Sequence, residues 1–194
     1  MANETRILLS CEHGGNEVPQ DYNHLFMNRL ELLNTHQGYD IGALMLAQKL
    51  AIHCNAPLYY NTITRLLIDL NRSLSHKNLF SFITRTLPPQ KKQELIQAYY
   101  QPYRNSVQEQ IAEWVQKGNQ VLHIGVHSFT PEWNGKIRNV DIGLLYDPKR
   151  LPEKEFCRAW KQHIVHNNPT VRVRMNSPYR GTDDGFIPFL RSQF

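Results

Sequence analysis

Apolar positions along this chain alternate between short continuous runs and longer stretches of helical period. The run Arg6 to Cys11, "RILLSC", reads as a buried strand. In "GYDIGALMLAQKLAIHC", residues Ala43, Leu44, Ala47, Leu50, Ala51 and Cys54 fall on one face at helical spacing. "APLYYNT" and "TRLLIDLNR" read as two strands, rich in aromatic and aliphatic residues. A polar connector follows to Leu87. Pro88 and Pro89 then open a helical region running to Lys117, with Gly118 as its stop. Pro102 is expected to kink or divide that region, because it lacks the backbone N–H a helix interior needs. Its stripe of Leu95, Tyr99, Tyr103, Val107, Ile111 and Val115 reads as core, as do Trp114 and Trp160. "QVLHIGVHSF" and "IRNVDIGLLYD" read as strands, Pro152 starts a helix to about His166, and "TVRVRM" is a further strand. The tail "DDGFIPFLRSQF" reads as a turn and a short helix or coil.

Strands alternating with helices predict an α/β domain with a central sheet covered on both faces. A chain of 194 residues fits one such domain with a sizeable core, and no repeat or low-complexity segment divides it. In sheets of this kind ligands bind in the loops at strand ends.

Composition narrows the partners. Apolar residues make up 41% and charged residues 20%, which describes a globular protein. No apolar run approaches the roughly 18 residues of a membrane span, and no signal peptide is visible at the N-terminus. The three cysteines, Cys11, Cys54 and Cys157, are odd in number and form no CxxC pair. They predict reduced thiols in a cytoplasmic protein and argue against a thiolate zinc site. The net charge is +5, but no block of five basic residues occurs. An anionic small molecule is therefore expected as partner, not nucleic acid and not a membrane.

Three predicted strands end in chemically capable residues. The first ends at His13, followed by Gly14 and Gly15. The third ends at His127-Ser128. Two histidines on separate strand ends suit a metal such as zinc, which in hydrolytic sites takes three protein ligands and leaves one position for water. The glycines would let the backbone approach a metal or substrate closely. On the second, Arg65, Asp69 and Asn71 would share one strand face. Such groups are costly to bury unless they serve each other or a ligand. Asp69 could orient Arg65 or Arg72, or simply close a salt bridge. His123 reads as structural. His24, His36, His53, His76, His163 and His166 read as surface or packing residues.

The segments "CEHGGNEVP", "GYDIGA", "TRLLIDLNR", "AYYQPYR", "GVHSFTP", "RNVDIGLLYDP" and "NSPYRGTDDG" together resemble the N-formylglutamate amidohydrolases. Their fold is similar to that of zinc carboxypeptidases and aspartoacylase. The resemblance implies a three-layer αβα fold with a central mixed sheet, and zinc-dependent hydrolysis of an N-acyl amino acid. N-formyl-L-glutamate is the first expectation. It implies His13 and His127 as zinc ligands, Arg65 as the group that polarises the scissile carbonyl, and Asn71 and Arg72 as the grip on a substrate carboxylate. The third ligand is Asp40 or Glu17, with Asp40 preferred; an acid at a helix start also explains Asp40 without any metal. Arg138 would reach an anionic group of the substrate, and Tyr179 would line the pocket. The family pattern continues into a strand bearing a glutamate, by analogy the general base. That strand is expected beyond Phe194, where the given chain stops. The alternatives are a related amidase or carboxypeptidase, and a binding protein without turnover.

Overall fold

A computed structural model describes residues 4–194. The chain forms two compact units. One holds the residues up to Phe129 together with Phe189–Phe194, and the other holds Thr130–Pro188.

The first unit is built on strand β1 (Thr5–Cys11), flanked by β2 (Leu58–Tyr60) and β3 (Gln120–Gly125) in the order β2-β1-β3. Both pairings are parallel, with Leu9 opposite Leu58 and Ile124. As the middle strand of a covered sheet, β1 is buried continuously from Leu8 to Cys11, which is why its sequence is an apolar run and not an alternation. Alternate residues face opposite layers. Leu9 and Cys11 pack with Ala43, Ala47 and Val126, so helix α2 (Ala43–Cys54) covers that face. Ser10 lies opposite Tyr59, whose hydroxyl donates to Gln110 at 3.3 Å. Gln110 belongs to helix α4 (Gln101–Gln116), so α4 covers the other face. A short helix, α1 (Leu30–Leu33), precedes α2, and helix α3 (Pro89–Leu95) leads towards α4.

The helical region is divided just before Pro102, which sits in the first turn of α4. It runs through a π-helical turn, Ile96–Tyr100, directly before the proline. One wide turn absorbs the missing N–H.

The segment "TRLLIDLNR" is not a strand. It is a sequence of turns, and its Leu66, Leu67, Ile68 and Leu70 fill a core shared with Phe26, Leu33, Leu79, Ile83, Leu95 and Tyr100. A buried loop must find partners for its backbone. The Leu66 carbonyl accepts from Ser81 at 2.5 Å, Leu67 from Thr84 at 2.9 Å, Leu70 from Arg104 at 3.1 Å, and Arg72 from Tyr100 at 2.7 Å. The expectation that Arg65, Asp69 and Asn71 share a strand face therefore fails.

In the second unit β4 (Glu132–Trp133) and β5 (Lys136–Ile137) form a small antiparallel hairpin, and β6 (Ile142–Leu144) pairs in parallel with β7 (Val173–Met175). The expected single strand over "IRNVDIGLLYD" is thus interrupted after Ile137. Helix α5 (Leu151–Asn167) packs Cys157 against Leu144, Tyr146 and Val173. Helix α6 (Phe186–Gln193) closes the described chain as the short helix of the tail. The architecture is mixed α/β, as expected. The central sheet of the first unit is parallel and three-stranded, not the mixed sheet the resemblance implies. Among the described residues no helix is long and apolar enough to cross a membrane.

Candidate metal centre

The chain leaves β1 at Cys11 and continues through Glu12 and His13, both buried. Gly14 and Gly15 follow because the backbone must pass close to residues 61 and 62. A Cβ on Gly15 would lie 2.5 Å from the Thr62 carbonyl oxygen. The glycines thus serve this close backbone approach. His127 lies just past β3, where Val126 still donates to the Ser10 carbonyl at 2.8 Å. Asp40 sits in the loop before α2, and its amide donates to the His13 carbonyl at 2.9 Å.

These paths bring His13, Asp40 and His127 together. One ligand atom from each lies within 4.8 Å of the others. Both Nδ1 atoms face the same oxygen, Asp40 Oδ2, at 3.5 Å from His13 and 2.8 Å from His127. The other oxygen of Asp40 pairs with Arg65, and His36 approaches it at 3.9 Å. His36, expected as a surface or packing residue, is part-buried beside Asp40.

Each histidine has a carboxylate behind it. His13 Nε2 lies 2.7 Å from Asp69 Oδ1, and His127 Nε2 lies 3.0 Å from Glu12 Oε2. A carboxylate only accepts, so at His13 the nitrogen facing Asp69 carries the proton and Nδ1 keeps its lone pair, whereas His127 faces a carboxylate with each nitrogen, Glu12 at Nε2 and Asp40 at Nδ1. Burial opposes ionisation of Asp69, but His13, Arg65 and Arg72 outweigh it and hold the carboxyl below the usual range. Burial opposes ionisation of Glu12 too, and His127, Ser10 and His123 reverse it. Burial pushes His13 down to about 4, against the attraction of Asp69, so its imidazole is neutral near pH 7.

The fit to a divalent cation follows. His13 Nδ1 is buried with no hydrogen-bond partner, and its lone pair faces an anionic oxygen. That arrangement is repulsive unless positive charge lies between them. Two imidazoles and one carboxylate form a donor set suited to zinc, each imidazole backed by a carboxylate that fixes its orientation. His127 is about one-third exposed, so water reaches the cluster.

Glu17, the alternative third ligand, lies elsewhere and accepts from Thr62 at 2.7 Å. Asp69 has its closest ionic partner in His13; Arg72 Nε is 3.8 Å away. Asn71 donates its amide to Asp69 Oδ1 at 2.9 Å and brings its side chain within 3.4 Å of His127 Nε2. Arg138 and Tyr179 belong to the second unit, where Arg138 Nη2 donates to the Tyr179 hydroxyl at 3.1 Å. The sequence gives no role to Glu12 or Tyr103. Tyr103, read as core, donates to Glu12 Oε1 at 2.9 Å.

A family profile described as N-formylglutamate amidohydrolase matches residues 5–189. The chain belongs to the N-formylglutamate amidohydrolase family. Among solved structures it is similar to gene product Atu2144 from Agrobacterium tumefaciens, with 30% identity and a TM-score of 0.78. That match covers 91% of this chain and 71% of the other. A search of curated proteins gives no match. The family is one of amide-hydrolysing enzymes, which agrees with a polar cluster at the ends of parallel strands.

Proposed function

We propose that this member of the family hydrolyses N-formyl-L-glutamate to formate and glutamate with one zinc ion held by His13, Asp40 and His127. The observation that carries the reading is the convergence of these three side chains, with the lone pair of His13 Nδ1 turned towards Asp40. Zinc, when bound, would supply a Lewis acid for the amide carbonyl and lower the pKa of water.

The chain's own groups do the rest. Asp69 and Glu12 hold the imidazoles with their Nδ1 atoms towards the cluster. Arg65, anchored on Asp40, brings delocalised positive charge to the oxygen that becomes anionic as the carbonyl is attacked. Asn71 and Arg72 grip the α-carboxylate of the amino acid. The formyl C–N bond breaks, the formyl carbon gains the oxygen of water, and the amine leaves with a proton. Arg138 and Tyr179 are assigned to the substrate by the resemblance, and a raised KM in Arg138→Met checks this.

The test combines two measurements on the purified chain. Elemental analysis is expected to find about one zinc per chain, and formate release is expected with N-formyl-L-glutamate. A panel of other N-formyl and N-acetyl amino acids separates this substrate from those of a related amidase. Absence of metal in protein purified without chelator, together with no zinc uptake on titration, overturns the reading.

A further inference from the structure

The motif "AYYQPYR", residues 98–104, is part of the family pattern, yet neither a ligand nor a substrate group has been assigned to it. It spans the end of the π-helical turn and the start of α4. Three of its side chains reach the candidate site. The Tyr103 hydroxyl donates to Glu12 Oε1 at 2.9 Å, and Glu12 Oε2 faces His127 Nε2 at 3.0 Å. The Tyr100 hydroxyl donates to the Arg72 carbonyl at 2.7 Å. The Arg104 guanidinium is buried, lies over the rings of Tyr100 and Phe189 at 4.8 and 4.6 Å, and donates to the Leu70 carbonyl at 3.1 Å.

A helix packed only to fill a core does not need three polar tips aimed at one site. Burying a guanidinium is costly unless its donors are used, and here Arg104 uses them on the backbone of the turn that carries Asn71 and Arg72. Regular α-helical spacing places residues 100, 103 and 104 on one face, and the wide turn before them sets the angle of that face.

We infer that this segment is a two-armed brace made of positioning residues. Tyr103 acts through Glu12 on the orientation of His127. Tyr100 and Arg104 act through the carbonyls of Leu70 and Arg72 on the anion-gripping turn. The inference rests on the proposed metal and substrate reading, and it predicts that the arms separate experimentally.

Two variants that each remove one hydroxyl test it. Tyr103→Phe is expected to weaken zinc binding about 10-fold in a competition titration with a chromophoric chelator. With zinc saturating, its KM for N-formyl-L-glutamate is expected to stay at the wild-type value. Tyr100→Phe is expected to leave zinc affinity unchanged and to raise KM about 5-fold. Circular dichroism confirms folding, and Arg104→Lys, which keeps a donor, is expected to lie nearer wild type than Arg104→Met. Wild-type zinc affinity in Tyr103→Phe and wild-type KM in Tyr100→Phe overturn the brace while leaving the proposed function standing. A wild-type chain with no affinity for zinc overturns the metal reading itself, and the brace with it.

Discussion

Asp40 meets Arg65 with one carboxylate oxygen and both candidate histidines with the other. In the proposed metal reading, that double engagement makes Asp40 the third ligand in place of Glu17. Asp40→Asn is expected to lower zinc affinity more than about 100-fold, because it removes a ligand charge and not only an outer hydrogen bond. Glu17→Gln, in a hydroxyl-bonded acid outside the cluster, is expected to stay within about 2-fold of wild type in the same chelator titration. Loss of zinc in Glu17→Gln with retention in Asp40→Asn would reverse the assignment. The cysteines make a second contrast at this scale. Burial, reinforced by the Glu12 charge, pushes the Cys11 thiol up to about 12, and Cys157 is also buried, whereas Cys54 is exposed. Thiolate is the reactive form. Iodoacetamide at pH 8 is therefore expected to add one label to the native chain, at Cys54, and three after denaturation, read by mass spectrometry.

At the scale of elements, the parallel strands β1, β2 and β3 and the long helices α2, α4 and α5 were legible because each obeys one clear rule. The middle strand β1 is an apolar run, β2 and β3 are short runs rich in aliphatic or aromatic residues, and covered helices repeat every three or four residues. The loop 64–72 breaks both rules. An apolar run in a buried loop has the same composition as one in a buried strand, and only its hydrogen-bond partners tell them apart. Those partners, Ser81, Thr84, Tyr100 and Arg104, lie 10 or more residues away in sequence, so no local pattern reveals them. The same distance hid Tyr103, which meets Glu12 across 91 positions. His13 and His127 stood out because each follows a strand end by two residues. Asp40 stayed open against Glu17 because an acid before a helix has an ordinary explanation. Thr84→Val tests the buried-loop account. It keeps the shape of a fully buried side chain and leaves the Leu67 carbonyl without that donor. A loss of roughly 1–3 kcal/mol in urea unfolding is expected. An unchanged midpoint would mean that the loop's backbone has other means of support.

For the molecule as a whole, the buried imidazoles set the response to acid. Burial lowers both His13 and His123 to about 4, from an ordinary value of 6.5. The unfolded chain therefore binds more protons than the folded one between about pH 6.5 and pH 4, and stability rises with pH across that window. Read downwards, the contribution of these groups is complete above pH 6.5 and is lost as pH falls towards 4. Each proton taken up on unfolding contributes a slope of about 1.4 kcal/mol per pH unit. Below that window Glu12 and Asp69, held ionised by their histidine partners against their own burial, add a further loss as they protonate. Unfolding by urea in the presence of chelator, from pH 7.5 to pH 4, is the measurement. A midpoint that falls steadily below pH 6.5 is expected, with a slope that His123→Asn cuts by about half, since one of the two protons leaves the window. Excess zinc is expected to raise the wild-type midpoint across the window without flattening its fall, because a bound cation adds its binding free energy to the folded state and keeps His13 unprotonated there while the unfolded chain still takes up protons. A midpoint constant from pH 7.5 to pH 4.5 would show that the two imidazoles gain protons in the folded chain as readily as in the unfolded one, and the buried neutral state of His13 that the metal reading needs would be lost with it.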